Sequence, residues 1–183
     1  MAGHEAPMLA RRHGGNPFIR TIHALSNVSG WISALMILIA VIIVCQMIFV
    51  RFVLNGSTVW QTEVVVFLIV FATLIGLPFV QLRRGHVNVD LVPLALSGRS
   101  RYFLAIATLF VSSVIIAIMA FYGYEYWHLA FKRGWTTDTV TAVPLWIPYM
   151  SLPLGFGLLL LQMLADLFAI IAKIEKPFGL EAS

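Results

Sequence analysis

The chain has 183 residues, 60% of them hydrophobic and 11% charged, with a formal net charge of +4 and a mean hydropathy of +0.92. So apolar a composition excludes a soluble globular domain, and one cysteine, Cys45, excludes an internal disulfide framework. The basic balance does not mark a nucleic-acid binder, because the charges stand at the ends of apolar stretches rather than in one patch.

Residues 1–15 are polar, carry Gly14-Gly15, and are expected to be a disordered tail. Asn16-Pro17 resembles an N-cap followed by a first-turn proline, and Phe18, Ile22 and Leu25 follow at helical spacing. This predicts a short helix lying on the membrane interface; the alternative is that it forms the start of the first span. The span itself is expected over residues 31–50. About 20 apolar residues at about 1.5 Å each cross a hydrocarbon core of about 30 Å. The run is longer than the core of a secretory signal and no small-x-small cleavage site follows it, so it is expected to stay. Ile37 to Val44 is apolar throughout, where a membrane β-strand would alternate. Cys45 reads as a small lipid-facing or packed residue.

Arg51 to Glu63 joins the first span to the second, with Asn55-Gly56-Ser57 as a turn signal. The second span is expected over residues 64–82. A hairpin brings Arg51 and Glu63 to similar depth, so they form an ion pair or reach water separately. Ala72 with Gly76, and Gly30 with Ala34, are small-xxx-small pairs that permit close helix approach.

Arg83 to Arg101 is the most polar internal stretch, and Asp90 is placed to cap a short interfacial segment over residues 91–96. Its charges read either as a solvated loop or as a docking surface for another membrane subunit or lipid headgroups. The third span is expected over residues 102–124, followed by a long loop to Pro144 flanked by Trp127, Trp135, Trp146 and Tyr149, an aromatic belt. The fourth is expected over residues 145–165, with a kink or irregular first turn from Pro148 and Pro153. The four spans and their connections make one membrane domain over residues 16–173, with a cytoplasmic tail over 174–183.

Nine Lys or Arg residues flank one side of the spans and three (Arg51, Lys132, Arg133) the other, which puts both termini in the cytoplasm. The fold class predicted is therefore an all-α integral membrane protein with four transmembrane helices and short interfacial helices, N-in and C-in, packed as a small bundle. None of the five histidines falls mid-span, which argues against haem, and no Cys/His metal spacing or phosphate-binding loop is present. No nucleophile–base arrangement suggests an enzyme. The spans hold almost no ionisable groups, so a chain that moved a solute by itself would be unusual, and a partner subunit is expected. Two other classes remain open at this point. One is a respiratory membrane anchor, which needs mid-span histidines; the other is an independent small transporter, which needs intramembrane polar groups.

Three segments in order carry a resemblance. They are Gln46 with Arg51 to Asn55 and Trp60-Gln61-Thr62-Glu63; Gly76 with Arg83-Arg84-Gly85-His86-Val87-Asn88-Val89-Asp90; and Leu152-Pro153-Leu154-Gly155-Phe156. Together they resemble the small membrane subunit, DctQ-like, of tripartite ATP-independent periplasmic (TRAP) transporters. Thr62 stands where that family has a first acid before Glu63.

The resemblance implies a three-part importer. A periplasmic substrate-binding protein captures an organic anion, and a large elevator-type membrane subunit carries it with sodium. The small subunit braces the large one. It implies no catalytic, cofactor or metal residue on this chain, with sodium on the large partner. Arg51, Trp60, Glu63, Gly76, Arg84, His86 and Asp90 are then structural or subunit-contact residues, and membrane lipids are further partners.

Overall fold

The computed structural model describes residues 17–83 and 98–172. Helix α1 spans Pro17–Phe52, α2 Val59–Leu82, α3 Gly98–Arg133, α4 Trp146–Tyr149 and α5 Ser151–Ile171. Four stretches are long and apolar enough to cross a membrane: α1, α2, the part of α3 from Tyr102, and α4 with α5 taken together. The protein is thus an all-α integral membrane protein with four spans.

The separate interfacial helix expected before the first span is absent. α1 runs unbroken for 36 residues, about 54 Å. The polar residues of its first half do not break it because they bond within their own turns. Asn27 Nδ2 donates to the His23 carbonyl at 3.0 Å and Ser29 Oγ to the Ser26 carbonyl at 2.8 Å. Ile19 and Ile22 are buried, so this half packs against the protein instead of floating on the interface.

The loop after α1 behaves as its turn signal predicts. Asn55 takes the left-handed conformation (φ 49°), and Gly56 N–H bonds the Val50 carbonyl at 3.1 Å. At the start of the last span, Met150 alone interrupts the helix between α4 and α5, yet it keeps helical angles (φ −60°, ψ −24°). Pro148 and Pro153 therefore give an irregular first turn and no broken-helix site, and Ser151 Oγ caps the Pro148 carbonyl at 2.6 Å.

The spans do not close into the expected bundle. α1 packs chiefly on α2 and more lightly on α5, α2 on α5, and α5 on α3, so the helices stand in a row with α1 and α3 at its edges, drawn together between α1 and α5 by the buried Ser26–Gln162 bond. Burial follows the row. In the most apolar window, 39% of the α4–α5 span is buried, against 11% in α1 and in α3. Both seams beside α2 rest on small residues. Ser33 Oγ donates to the Ala72 carbonyl at 2.6 Å, and a Cβ at Gly76 would lie 2.8 Å from that hydroxyl oxygen. On the other side Pro78, which has no N–H, leaves the Leu74 carbonyl without its helical donor. Gly155 of α5 sits against that carbonyl, where a Cβ would come within 2.7 Å of its oxygen. The close approach suits a weak Cα–H···O contact that partly satisfies the freed carbonyl.

Candidate functional site

Two polar clasps hold the row, one near each end. The outer clasp lies at the end remote from both termini. After α3 the chain folds back as a short hairpin: Leu145 N–H bonds the Trp135 carbonyl at 2.8 Å, Thr137 N–H bonds the Val143 carbonyl at 3.0 Å, and Thr136 pairs with Pro144. This lines up alternate threonines. Thr139 Oγ1 donates to Glu63 Oε1 at 3.0 Å, and Thr141 Oγ1 donates to Glu63 Oε2. Thr137 Oγ1 lies 2.9 Å from Thr139 Oγ1 and accepts from Val143 N–H at 3.0 Å. The loop thereby straps α3 to α2, across the start of the α4–α5 span. Around it, Tyr126 packs against Trp135 and Tyr149, and Phe131 against Trp127 and Trp146, which is the expected aromatic belt gathered at one end.

Arg51 and Glu63 are not partners. Arg51 Nε donates to Thr58 Oγ1 at 2.7 Å, tying the end of α1 to the residue before α2, while the threonines take both carboxylate oxygens. The hairpin does bring both residues to one end. The pairing fails because a second, uncharged partner arrives from the loop after α3, far away in sequence. Trp60, on the first turn of α2, is exposed. Gly76 is buried in the α1–α2 seam, which makes it a packing residue of this chain. Arg84, His86 and Asp90 lie outside the described residues.

The inner clasp was not foreseen. Gln162 of α5 is fully buried, and together with Asp166 it joins three helices. Its Oε1 accepts from Ser26 Oγ of α1 at 2.7 Å, and its Nε2 donates to Asp166 Oδ1, one turn on, at 2.8 Å. Asp166 Oδ2 accepts in turn from Gln81 Nε2 of α2 at 3.2 Å. The signal was present in the sequence: Gln162 is the lone polar residue in a leucine run, four residues before Asp166. A polar side chain in such a run needs a partner inside the protein.

Neither clasp has the makings of a catalytic centre. Hydroxyls, amides and carboxylates here hold helices and a loop to one another, and no group of three or more His, Cys, Asp or Glu among the described residues is arranged to hold a metal. What the arrangement does is fix the relative position of helices that share little buried surface.

The chain is 23% identical over 145 residues to the C4-dicarboxylate TRAP transporter small permease protein DctQ of Vibrio cholerae, covering 68% of this chain and 62% of that protein. It thus spans a little under two thirds of that relative's length. The sequence pattern of the DctQ component of tripartite ATP-independent periplasmic transporters matches residues 39–173, which take in the last part of α1, the other three spans and both clasps except Ser26. This multi-pass inner-membrane protein therefore belongs to the DctQ component family, the small permease subunits of TRAP transporters.

Proposed function

We propose that this chain is a static brace for the large, elevator-type membrane subunit of its transporter, during sodium-coupled uptake of an organic anion delivered by a periplasmic substrate-binding protein. The observation that carries the reading is the single row of helices. A row tied at both ends is broad and stiff, and it leaves two wide apolar faces. One face suits a membrane partner and the other suits lipid. Ser26, Gln81, Gln162 and Asp166 inside the row are occupied with one another, which fits a part that stays still while another moves.

The transported solute is a carboxylate, a class that includes the C4-dicarboxylates named for the Vibrio cholerae relative. The coupling sodium is held by the large subunit and not by this chain, which needs no cofactor and performs no enzymatic step. Arg84, His86 and Asp90 of the inner loop serve subunit contact. Purifying the tagged chain from membranes in mild detergent, and identifying what comes with it by mass spectrometry, tests the reading. A large polytopic partner in equimolar amount is expected; a lone chain, or one accompanied by redox subunits, overturns it.

A further inference from the structure

Val59, Thr62, Val66, Ile69, Thr73 and Val80 stand exposed along one side of α2. Each branches at Cβ, and each follows the last by three, four or seven positions. Trp60 and Val70 are also exposed, but no Leu or Phe of this helix is. α5, its neighbour in the row, does the reverse: before Ile171 at its end it exposes Leu154, Leu161, Leu164 and Phe168. The edge helices α1 and α3 expose both kinds. The two threonines do not interrupt the α2 stripe. Thr62 Oγ1 donates to the Thr58 carbonyl at 3.1 Å and Thr73 Oγ1 to the Val70 carbonyl at 2.9 Å, so neither needs a polar partner outside the helix.

Steps of three, four and seven form the seam along which two helices coil about each other in the left-handed sense. Valine and isoleucine hold one side-chain rotamer in a helix about nine times in ten, so a surface made of them loses little freedom when another helix packs on it. Acyl chains ask for neither the spacing nor the branching, and the Leu and Phe face of α5 serves them as well. From Val59 to Val80 the stripe runs about 32 Å, the whole depth of the hydrocarbon core. Its match is therefore a complete transmembrane helix and not a loop or a soluble protein. Glu63 and Gln81, through which the two clasps grip α2, fall near either end of it.

We propose that this face of α2 is the docking seam for one transmembrane helix of the large subunit, crossing at about 20° and held by packing alone. The inference rests on the brace reading above and adds the surface by which the brace is held.

The test is recovery of the large subunit with the tagged full-length chain from membranes in mild detergent. Val66→Trp and Ile69→Trp are expected to lower it about tenfold or more, because a bulky ring cannot enter a close-packed seam. Leu161→Trp and Leu164→Trp on α5 leave it unchanged, and so does Thr73→Val, which keeps the shape. All five positions are exposed, so the melting temperature of the chain purified alone should not move. Where it does, a photoactivatable thiol reagent on Val66→Cys, in a Cys45→Ala background, is expected to crosslink the large subunit, and the same reagent on Leu164→Cys is not. Full recovery with Val66→Trp and Ile69→Trp, or a crosslink from Leu164→Cys alone, overturns the α2 seam and leaves the brace reading standing. Capture of a second copy of this chain through Val66→Cys overturns the assigned occupant. No large subunit with the unaltered chain overturns the brace reading, and the seam with it.

Discussion

The two clasps use similar groups in opposite surroundings. The inner one is built from helix side chains around a fully buried glutamine, and each of its bonds joins one helix to another or one turn to the next. The outer one is built from an exposed loop, and its threonines stand partly in water. A polar group lost from the dry clasp leaves its partners with no substitute, whereas water can replace a partner lost from the wet one. The inner clasp should therefore govern the stability of the whole row, and the outer clasp the order of one loop.

The largest effect expected from this contrast is at Gln162. Gln162→Leu keeps the volume roughly constant but takes the acceptor from Ser26 Oγ and removes the amide bond to Asp166. It should cost about 1–3 kcal/mol in global unfolding, read by thermal melting in detergent. Ser26→Ala should cost less, about 0.6–1.7 kcal/mol, since it removes one bond of the network. In a double-mutant cycle the two changes should fall well short of additivity, because both remove the same contact. Additive losses would show that Gln162 acts through packing alone.

How much of this was legible in the sequence depended on the range of the interaction. The four spans could be read because each is a local run of apolar residues, and Asn55-Gly56 and the paired prolines mark their irregularities by their own backbone chemistry. The extra length of α1 and α3 was missed because hydropathy falls before the helix ends. In α1 the polar stretch from Ser26 to Gly30 resembles a break but satisfies itself. The order of the row was not legible, since short connections suggest neighbours without saying which pairs pack. α5 sits between α2 and α3 because Gly155 admits the Leu74 carbonyl that Pro78 sets free, a fit involving three separated residues. The same holds for the candidate site. Glu63 stood out in the sequence by its place at the start of the second span, but its partners come from Thr139 and Thr141, and a proximity argument pointed to Arg51 instead.

At the outer clasp the expected effect is local. Glu63→Ala should free the hairpin and speed amide exchange over residues 135–145 by about tenfold or more, while exchange in the middle of α2 and α5 stays as it was. Arg51→Ala should leave exchange in that loop unchanged and loosen only the turn around Thr58. Since the two side chains share no partner, the double variant should show the sum of the two single effects. A deficit in that sum would restore the direct pair. Equal slowing or speeding throughout the molecule would erase the distinction between the clasps.

The smallest effect sharpens the comparison most, because it alters the loop without touching a clasp side chain. Ala142 lies between Thr141 and Val143 in the left-handed region, φ 44°, where a Cβ crowds the backbone. The hairpin imposes this angle so that Thr141 can face Glu63 while Val143 returns to bond Thr137. Ala142→Gly removes the crowding but also loosens the unfolded chain, and the two terms nearly cancel. The net change in loop protection should be a gain of less than about 1 kcal/mol, with global melting unmoved. Ala142→Val should reverse the sign, because a β-branched side chain tolerates this region worst. If neither variant altered exchange over residues 135–145, the strain would not be held by the threonine clasp, and the loop would owe its shape to the aromatic packing of Tyr126, Trp135 and Tyr149 instead.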